Sequence, residues 1–348
     1  MGQSVTKEDF VWHYTEEPHA TRRRQIVAKY PEVKALFGID PTFNYVVSAI
    51  VITQVIVAYC VKDSDWALVI LQAYFTAGTF NHAIVLAEHE ISHNMCFGNN
   101  YPLANRLFGI WANLPCALPL SISFKKYHVE HHRYLGVEGL DTDLPTEAEA
   151  WLFSNAVGKL TWLFLQPLFY AFRPFVVYQK AITDLELLNA VVQFTFDFLI
   201  WYFFGIKAIA YLLLGTILGL GIHPSAGHFV SDHYIFASED QETSSYYGPL
   251  NMVTFNVGYH NEHHDFPFVA GSNLPKIRAL APEFYDSLSV HDSWLALMWR
   301  FVFDPSVGLR SRSKRPKLAD TQYYHFTCYV AKFAEKILSA FGSKKQVD

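Results

Sequence analysis

Residues 66–93 read WALVILQAYFTAGTFNHAIVLAEHEISH. No Asp, Glu, Lys or Arg occurs from Trp66 to Ala87, a run matching the roughly 20 apolar residues that a helix needs to cross a hydrocarbon core. With no turn signal between, the run passes into His89-Glu90-Ile91-Ser92-His93. Residues four apart share one face of a helix, so this span ends by presenting two imidazoles to a common point. A membrane helix that terminates in paired metal-type ligands is the unit from which the rest of the chain is read.

Three more segments have spanning length: about Tyr45 to Val61, Leu187 to Phe204, and Ala208 to Phe229. The first two spans are separated only by Lys62-Asp63-Ser64-Asp65, and the last two only by Gly205-Ile206-Lys207, so each pair crosses and returns as a hairpin. Both long polar regions therefore share one side. That side carries Arg22 to Arg24, Lys125, Lys126, Arg310, Arg312, Lys314, Arg315 and Lys317, which marks it as cytosolic. Two further apolar stretches, Leu103 to Leu120 and Trp162 to Tyr178, contain Pro115, Pro119, Pro167 and Pro174 and read as interfacial or re-entrant helices.

The expected fold is an all-α integral membrane protein: about four transmembrane helices in two hairpins, capped on the cytosolic side by a histidine-rich di-metal region, with both termini cytosolic. Residues 1–44 read as a polar N-terminal arm, 45–310 as the membrane domain and 311–348 as a basic tail with an amphipathic surface helix at Tyr323 to Phe341. Composition agrees. Of 348 residues, 51% are hydrophobic and 17% charged, too apolar for an ordinary soluble protein. A net charge of -5 and the lack of a basic stripe exclude nucleic acid as a partner. Cys60, Cys96, Cys116 and Cys328 show no paired spacing and read as packing residues. The start, Met1-Gly2-Gln3-Ser4-Val5-Thr6, fits N-myristoylation at Gly2, and no cleaved signal peptide is expected.

Sixteen histidines occur, and half of them form three clusters. After His89 and His93 come His128-Val129-Glu130-His131-His132 and His260-Asn261-Glu262-His263-His264. All three lie on the cytosolic side of the topology above. A lone histidine on an apolar helix is usually a satisfied core residue; three clusters at ligand spacing are not. Imidazole suits zinc, copper, iron and nickel alike. Number is more informative, because eight or nine histidines exceed one tetrahedral or octahedral ion and imply two metals, for which redox-active irons that activate dioxygen are the natural occupants.

A ninth ligand is expected in His223-Pro224-Ser225-Ala226-Gly227-His228-Phe229-Val230-Ser231-Asp232-His233: His233 first, His228 as the alternative, with His223 structural. His82 reads as a hydrogen-bonding residue within the bundle, and His13, His19, His291 and His325 as surface or local structural residues. Glu90, Glu130, Glu262 and Asp232 are expected to accept from ring N–H groups and so orient the imidazoles. His89 to His93 also matches the H-E-x-x-H pattern of zinc metalloproteases, but that reading leaves both His-x-x-His-His clusters idle. A non-enzymatic metal-binding protein or transporter would place histidines at mid-membrane depth, whereas these lie past the helix ends.

These boxes resemble the membrane fatty-acyl and sphingolipid desaturases and related hydroxylases. The run Asp9 to Thr15, with Pro18-His19, Arg22 to Arg24, Tyr30-Pro31-Glu32-Val33-Lys34 and Asp40-Pro41, is similar to the N-terminal region of the sphingolipid Δ4-desaturases, or dihydroceramide desaturases; so are Gly221 to Tyr234 and Asn256 to Pro267. The resemblance covers nearly the whole chain. It implies conversion of dihydroceramide (N-acylsphinganine) to ceramide by O2-dependent trans desaturation at C4–C5. It also implies two iron ions, electrons from NADH through cytochrome b5 and its reductase, and the endoplasmic reticulum membrane. The alternative is a sphinganine C4-hydroxylase or a bifunctional enzyme. His223-Pro224 continues as Ser225-Ala226, not as a His-Pro-Gly-Gly haem motif, so the electron carrier is expected to be a separate protein.

Overall fold

In the computed structural model, residues 4–15, 18–237 and 241–318 are described. Gly2, His325, Cys328 and the segment Tyr323 to Phe341 lie outside them. Five helices are long and apolar enough to cross a membrane: Phe43–Val61, Trp66–Ser92, Ala156–Val177, Asp184–Phe204 and Ile206–Ser231. Four of them contain the expected spans. The fifth, Ala156–Val177, is one continuous helix of 22 residues despite Pro167 and Pro174. Proline removes a ladder hydrogen bond, but apolar helices tolerate it where neighbouring groups compensate. Here Asn155 caps the first turn through Gly158 N (3.0 Å), and Pro174 lies in the last turn beside buried Arg173, which pairs with Glu149 at 2.7 Å. The other proline-broken stretch does bend: helices Pro102–Cys116 and Ser121–Arg133 meet at 112°, with Ala117 in the left-handed region (φ 55°) at the corner.

In the most apolar 18-residue stretch of Trp66–Ser92 and of Ile206–Ser231 half of the residues are buried, against 17–28% in the other three helices, so these two form the centre of the bundle. Small residues allow their backbones to touch. A Cβ on Gly219 would stand 2.5 Å from the Gly78 carbonyl oxygen, and one on Gly215 would stand 2.2 Å from Ala77 Cβ. Ala77 closes a π-helical turn, Ala73–Ala77, that locally widens the helix at this contact. Buried amides tie the rest together. Asn81 donates to Thr216 Oγ1 (2.9 Å) and to the carbonyls of Leu212 and Pro115 (3.0 Å each), and Tyr211 donates to Gln54 Oε1 (2.7 Å).

Beyond the helix ends the chain folds into a cap. Strand Val11–Trp12 pairs in parallel with Ser313–Lys314, and Ser245–Tyr246 with Val290–His291. Arg312 and Arg315 are buried and reach Asp143 (2.6 Å) and Glu242 (2.8 Å). The boundary expected at 310/311 thus falls inside packed structure: residues 311–315 belong to the cap. Cys96 and Cys116 are buried free thiols, whereas Cys60 is exposed on the outer face of the first long helix.

The Gly78–Gly219 contact predicts that Gly219→Ala overpacks the bundle and costs about 1–3 kcal/mol. A thermal melt of the detergent-solubilised protein checks this; an unchanged midpoint would contradict the close approach.

Candidate metal centre

Each histidine cluster sits where a helix ends at the cap. His89 is in the last turn of Trp66–Ser92 and His93 is its C-cap. The second cluster closes Ser121–Arg133, and the third forms the short helix His260–Asp265. Helical spacing turns each pair or triad inward. The ligand nitrogens of His89, His93, His128, His132 and His263 lie within 4.8 Å of one another, and so do those of His131, His233 and His264. His260 adjoins the second group, its Nε2 3.0 Å from His233 Nε2. The groups abut, with the His132 and His264 rings stacked 4.5 Å apart. All nine favoured histidines are therefore brought together. His228 is not among them: its Nδ1 stands 3.0 Å from His82 Nε2 and 3.2 Å from the Ser225 carbonyl. His82 also meets the Gly219 carbonyl at 2.8 Å, the bundle role expected of it, and His223 bonds locally to Ser225.

The donor chemistry fits metal ions. His93 Nε2 to His128 Nε2 is 2.9 Å, His128 to His132 is 3.0 Å, and His132 to His263 is 3.1 Å, all between Nε2 atoms. A neutral imidazole nitrogen carries either one proton or one lone pair, so His128 and His132, each in two such contacts, cannot satisfy both as hydrogen bonds. His233 has the same conflict between His131 and His260, both at 3.0 Å. His264 Nε2 is buried with no hydrogen-bond partner. Burial, reinforced by neighbouring histidines, holds His93, His233, His260, His263 and His264 well below the ordinary imidazole pKa. Such rings are unprotonated at neutral pH and offer lone pairs to a common centre, as metal binding requires.

One carboxylate bonds a ring directly, and it is not one of the four expected; two of those four only approach a ring. Asp232 stands 3.5 Å from His260 Nδ1 and Glu90 stands 3.7 Å from His89 Nδ1. Glu130 instead pairs with Lys180 (2.7 Å), and Glu262 accepts from Ser245 and Tyr247, so neither serves a ring. Both point away from the centre because their helix positions lie off the histidine face. Asp141 takes that role for His131, at 3.0 Å from Nδ1, and is itself held by the Gly136 N–H at 2.7 Å. Its place in a Gly- and Asp-rich loop ten residues past His131 was the available signal.

His19 is also corrected: read as a surface or local structural residue, it is buried and packs against the third cluster, its ring 5.1 Å from that of His264. Its Nδ1 meets Asp265 at 2.7 Å. Arg22 grips both oxygens of the same carboxylate at 2.6 and 3.0 Å, and Tyr285 donates to it at 2.9 Å. The N-terminal arm is thereby locked to the residue that follows the third cluster. No local pattern could reveal a contact across 246 positions.

A membrane bundle ending in a nest of nine histidines defines a class, and comparison with known proteins agrees. The fatty acid desaturase family model matches residues 64–295, and the model described as Sphingolipid Delta4-desaturase (DES) matches residues 6–42. The chain belongs to the fatty acid desaturase family and, within it, to the sphingolipid delta(4)-desaturases. It is 58% identical to a Caenorhabditis elegans protein named provisionally as a sphingolipid delta(4)-desaturase/C4-monooxygenase, over 97% of this chain and 94% of the other. It is 56% identical to sphingolipid delta(4)-desaturase DES1 of Drosophila melanogaster (90% and 98% covered) and 53% identical to that of Homo sapiens (90% and 97%). It is an oxidoreductase of the desaturase type, a multi-pass membrane protein that acts on a lipid.

Asp265 is fully buried and relies on Arg22 for its counter-charge. Arg22→Ala should therefore cost about 3–5 kcal/mol, because it strands a buried carboxylate. Thermal unfolding in detergent reads the loss, and a melt equal to that of the parent protein would contradict it.

Proposed function

We propose that this chain is a sphingolipid Δ4-desaturase that converts dihydroceramide to ceramide, introducing a trans double bond between C4 and C5. The observation that carries this reading is the pair of abutting imidazole nests whose nitrogens are too close to be satisfied by one another. In it, His89, His93, His128, His132 and His263 hold one iron ion, and His131, His233, His264 and His260 hold the other. When bound, the iron pair supplies oxidising power that no side chain has, with O2 as co-substrate and electrons delivered from NADH by cytochrome b5 and its reductase.

The protein's own part is to position and to exclude. Asp141 fixes the face of His131, and the Arg22–Asp265 pair fixes the third cluster. The buried cap keeps water from the reacting carbons, and the lipid enters from the bilayer.

Membrane topology is part of the reading. The three clusters meet at one place, so the chain between any two of them must leave and return on the same face. That requires the bent pair at 102–133 to turn back, and Ala156–Val177 to lie along the membrane rather than cross it. Four crossings remain, in two hairpins. The basic cap faces the cytosol, with both ends of the chain on that side, at the endoplasmic reticulum.

The test is expression in cells lacking endogenous Δ4-desaturase, fed a labelled short-chain dihydroceramide. Ceramide, two hydrogens lighter than the substrate, is expected. A product one oxygen heavier would make the chain a C4-hydroxylase, and no conversion together with bound zinc would overturn the reading. His131→Ala should abolish turnover and deplete bound iron. Asp141→Ala should lower iron affinity or turnover about 10–100-fold.

A further inference from the structure

A cavity of about 250 Å³ opens beside the metal centre, where the end of the N-terminal arm meets the residues before and after the third cluster. Its wall is divided by chemistry. Asp40, Glu90 and Asn256 give it polar ground, while Phe43, Val46 and Met252 form an apolar side. Phe43 begins the first long apolar helix, and Val46 and Met252 are exposed, so the apolar side adjoins the surface that the bilayer covers. Glu90 connects the cavity to the histidines. One carboxylate oxygen stands 3.7 Å from His89 Nδ1, and the other accepts the Gly271 N–H at 2.8 Å.

We infer that this cavity binds the polar head of the lipid substrate, and that Asp40 and Glu90 recognise it as a hydroxyl-bearing, non-anionic head. The inference rests on the function proposed above. Oxidation at C4 sets the geometry: only three carbon–carbon bonds separate C4 from C1, so the 1-hydroxyl lies within about 5 Å of the reacting carbon. A head-group site must therefore lie close to the metal centre; Glu90, the one residue between this cavity and the histidines, has its carboxylate 3.7 Å from His89 Nδ1.

Charge selects the kind of head. Two carboxylates line the cavity, and no Lys, Arg or His does among the described lining residues. The cation that acts on Asp40 from nearby is Lys276, whose ammonium donates to Asn273 at 2.8 Å. A phosphate head, or the phosphates of an acyl-CoA, would meet two carboxylates with no cation among the lining residues to offset them. Hydroxyl and amide N–H donors meet acceptors. The Asp40 carboxylate already accepts from the Thr42 N–H and hydroxyl at Oδ1 (2.8 and 2.7 Å) and from the Ser272 side chain, which fixes it in place and leaves about one of its four acceptor sites free.

The experiment compares kcat/KM of the membrane-embedded enzyme for short-chain dihydroceramide, its 1-deoxy analogue and its 1-phosphate. The parent enzyme should prefer the first over each of the others by about tenfold or more, the scale of a hydrogen bond to a charged group. Asp40→Ala should lower the value for dihydroceramide about tenfold and leave the 1-deoxy analogue unchanged, so that selectivity falls towards one while iron content stays constant. Equal loss on both substrates would mark Asp40 as merely structural and overturn the inference. Should Asp40→Ala fail to accumulate, Asp40→Asn keeps an acceptor for Thr42 and removes the charge. It should raise use of the 1-phosphate relative to dihydroceramide several-fold, and unchanged selectivity would again overturn the inference. If the parent enzyme converts none of the three, the proposed function falls and this inference with it; conversion with selectivity indifferent to Asp40 overturns the cavity assignment alone.

Discussion

Crowding nine imidazoles into one buried volume is unfavourable without cations to share, and the rest of the molecule is arranged to impose it. Their nitrogens approach to 2.9–3.1 Å in contacts that cannot all be hydrogen bonds. Rings left to themselves would turn away and find water or carbonyl partners. They stay because the helices that carry them are fixed elsewhere, by glycine contacts within the bundle and by ion pairs within the cap. The site is thus preorganised, and the stability that maintains it resides in parts of the chain remote from the chemistry.

Two regions share this work. In the membrane, Trp66–Ser92, which ends in the first cluster, and Ile206–Ser231, which leads to His233, touch through backbone at Gly78 and Gly219. In the cap, the N-terminal arm and residues 311–315 close over the second and third clusters with buried pairs: Arg22 with Asp265, Arg312 with Asp143, and Arg315 with Glu242. Buried pairs of this sort are weak contributors to net stability but costly to break singly, so they specify one arrangement more than they strengthen it. The region matched by the delta4-desaturase model, residues 6–42, is the one that supplies Arg22 and His19 to the third cluster and Asp40 to the cavity beside it. What distinguishes this branch of the family is therefore in contact with the histidines rather than appended to them.

Most of the frame was legible in the chain itself. Hydrophobic length is a local property, so the four spans and their hairpin turns could be read directly, and spacings of three and four residues declared the histidine clusters without reference to anything distant. Where local rules compete, reading was less sure. Proline in Trp162 to Tyr178 argued for a break, but in an apolar setting with capped ends the helix runs through it. The acidic residues inside the clusters were expected to serve the rings, yet Glu130 and Glu262 point to Lys180, Ser245 and Tyr247 because their helix positions lie off the histidine face.

That the chain is a helical membrane protein bearing three inward-facing histidine clusters follows from the order of its residues, because both facts are written in periodicities shorter than one helix. Tertiary structure alone decided which rings share a nest, why His233 and not His228 joins them, and that Asp141, His19 and Arg22 belong to the site. It also decided that residues 311–315 are cap rather than tail. Each of those depends on segments meeting across tens to hundreds of positions, where the contact energy lies in packing and charge complementarity that no local pattern encodes.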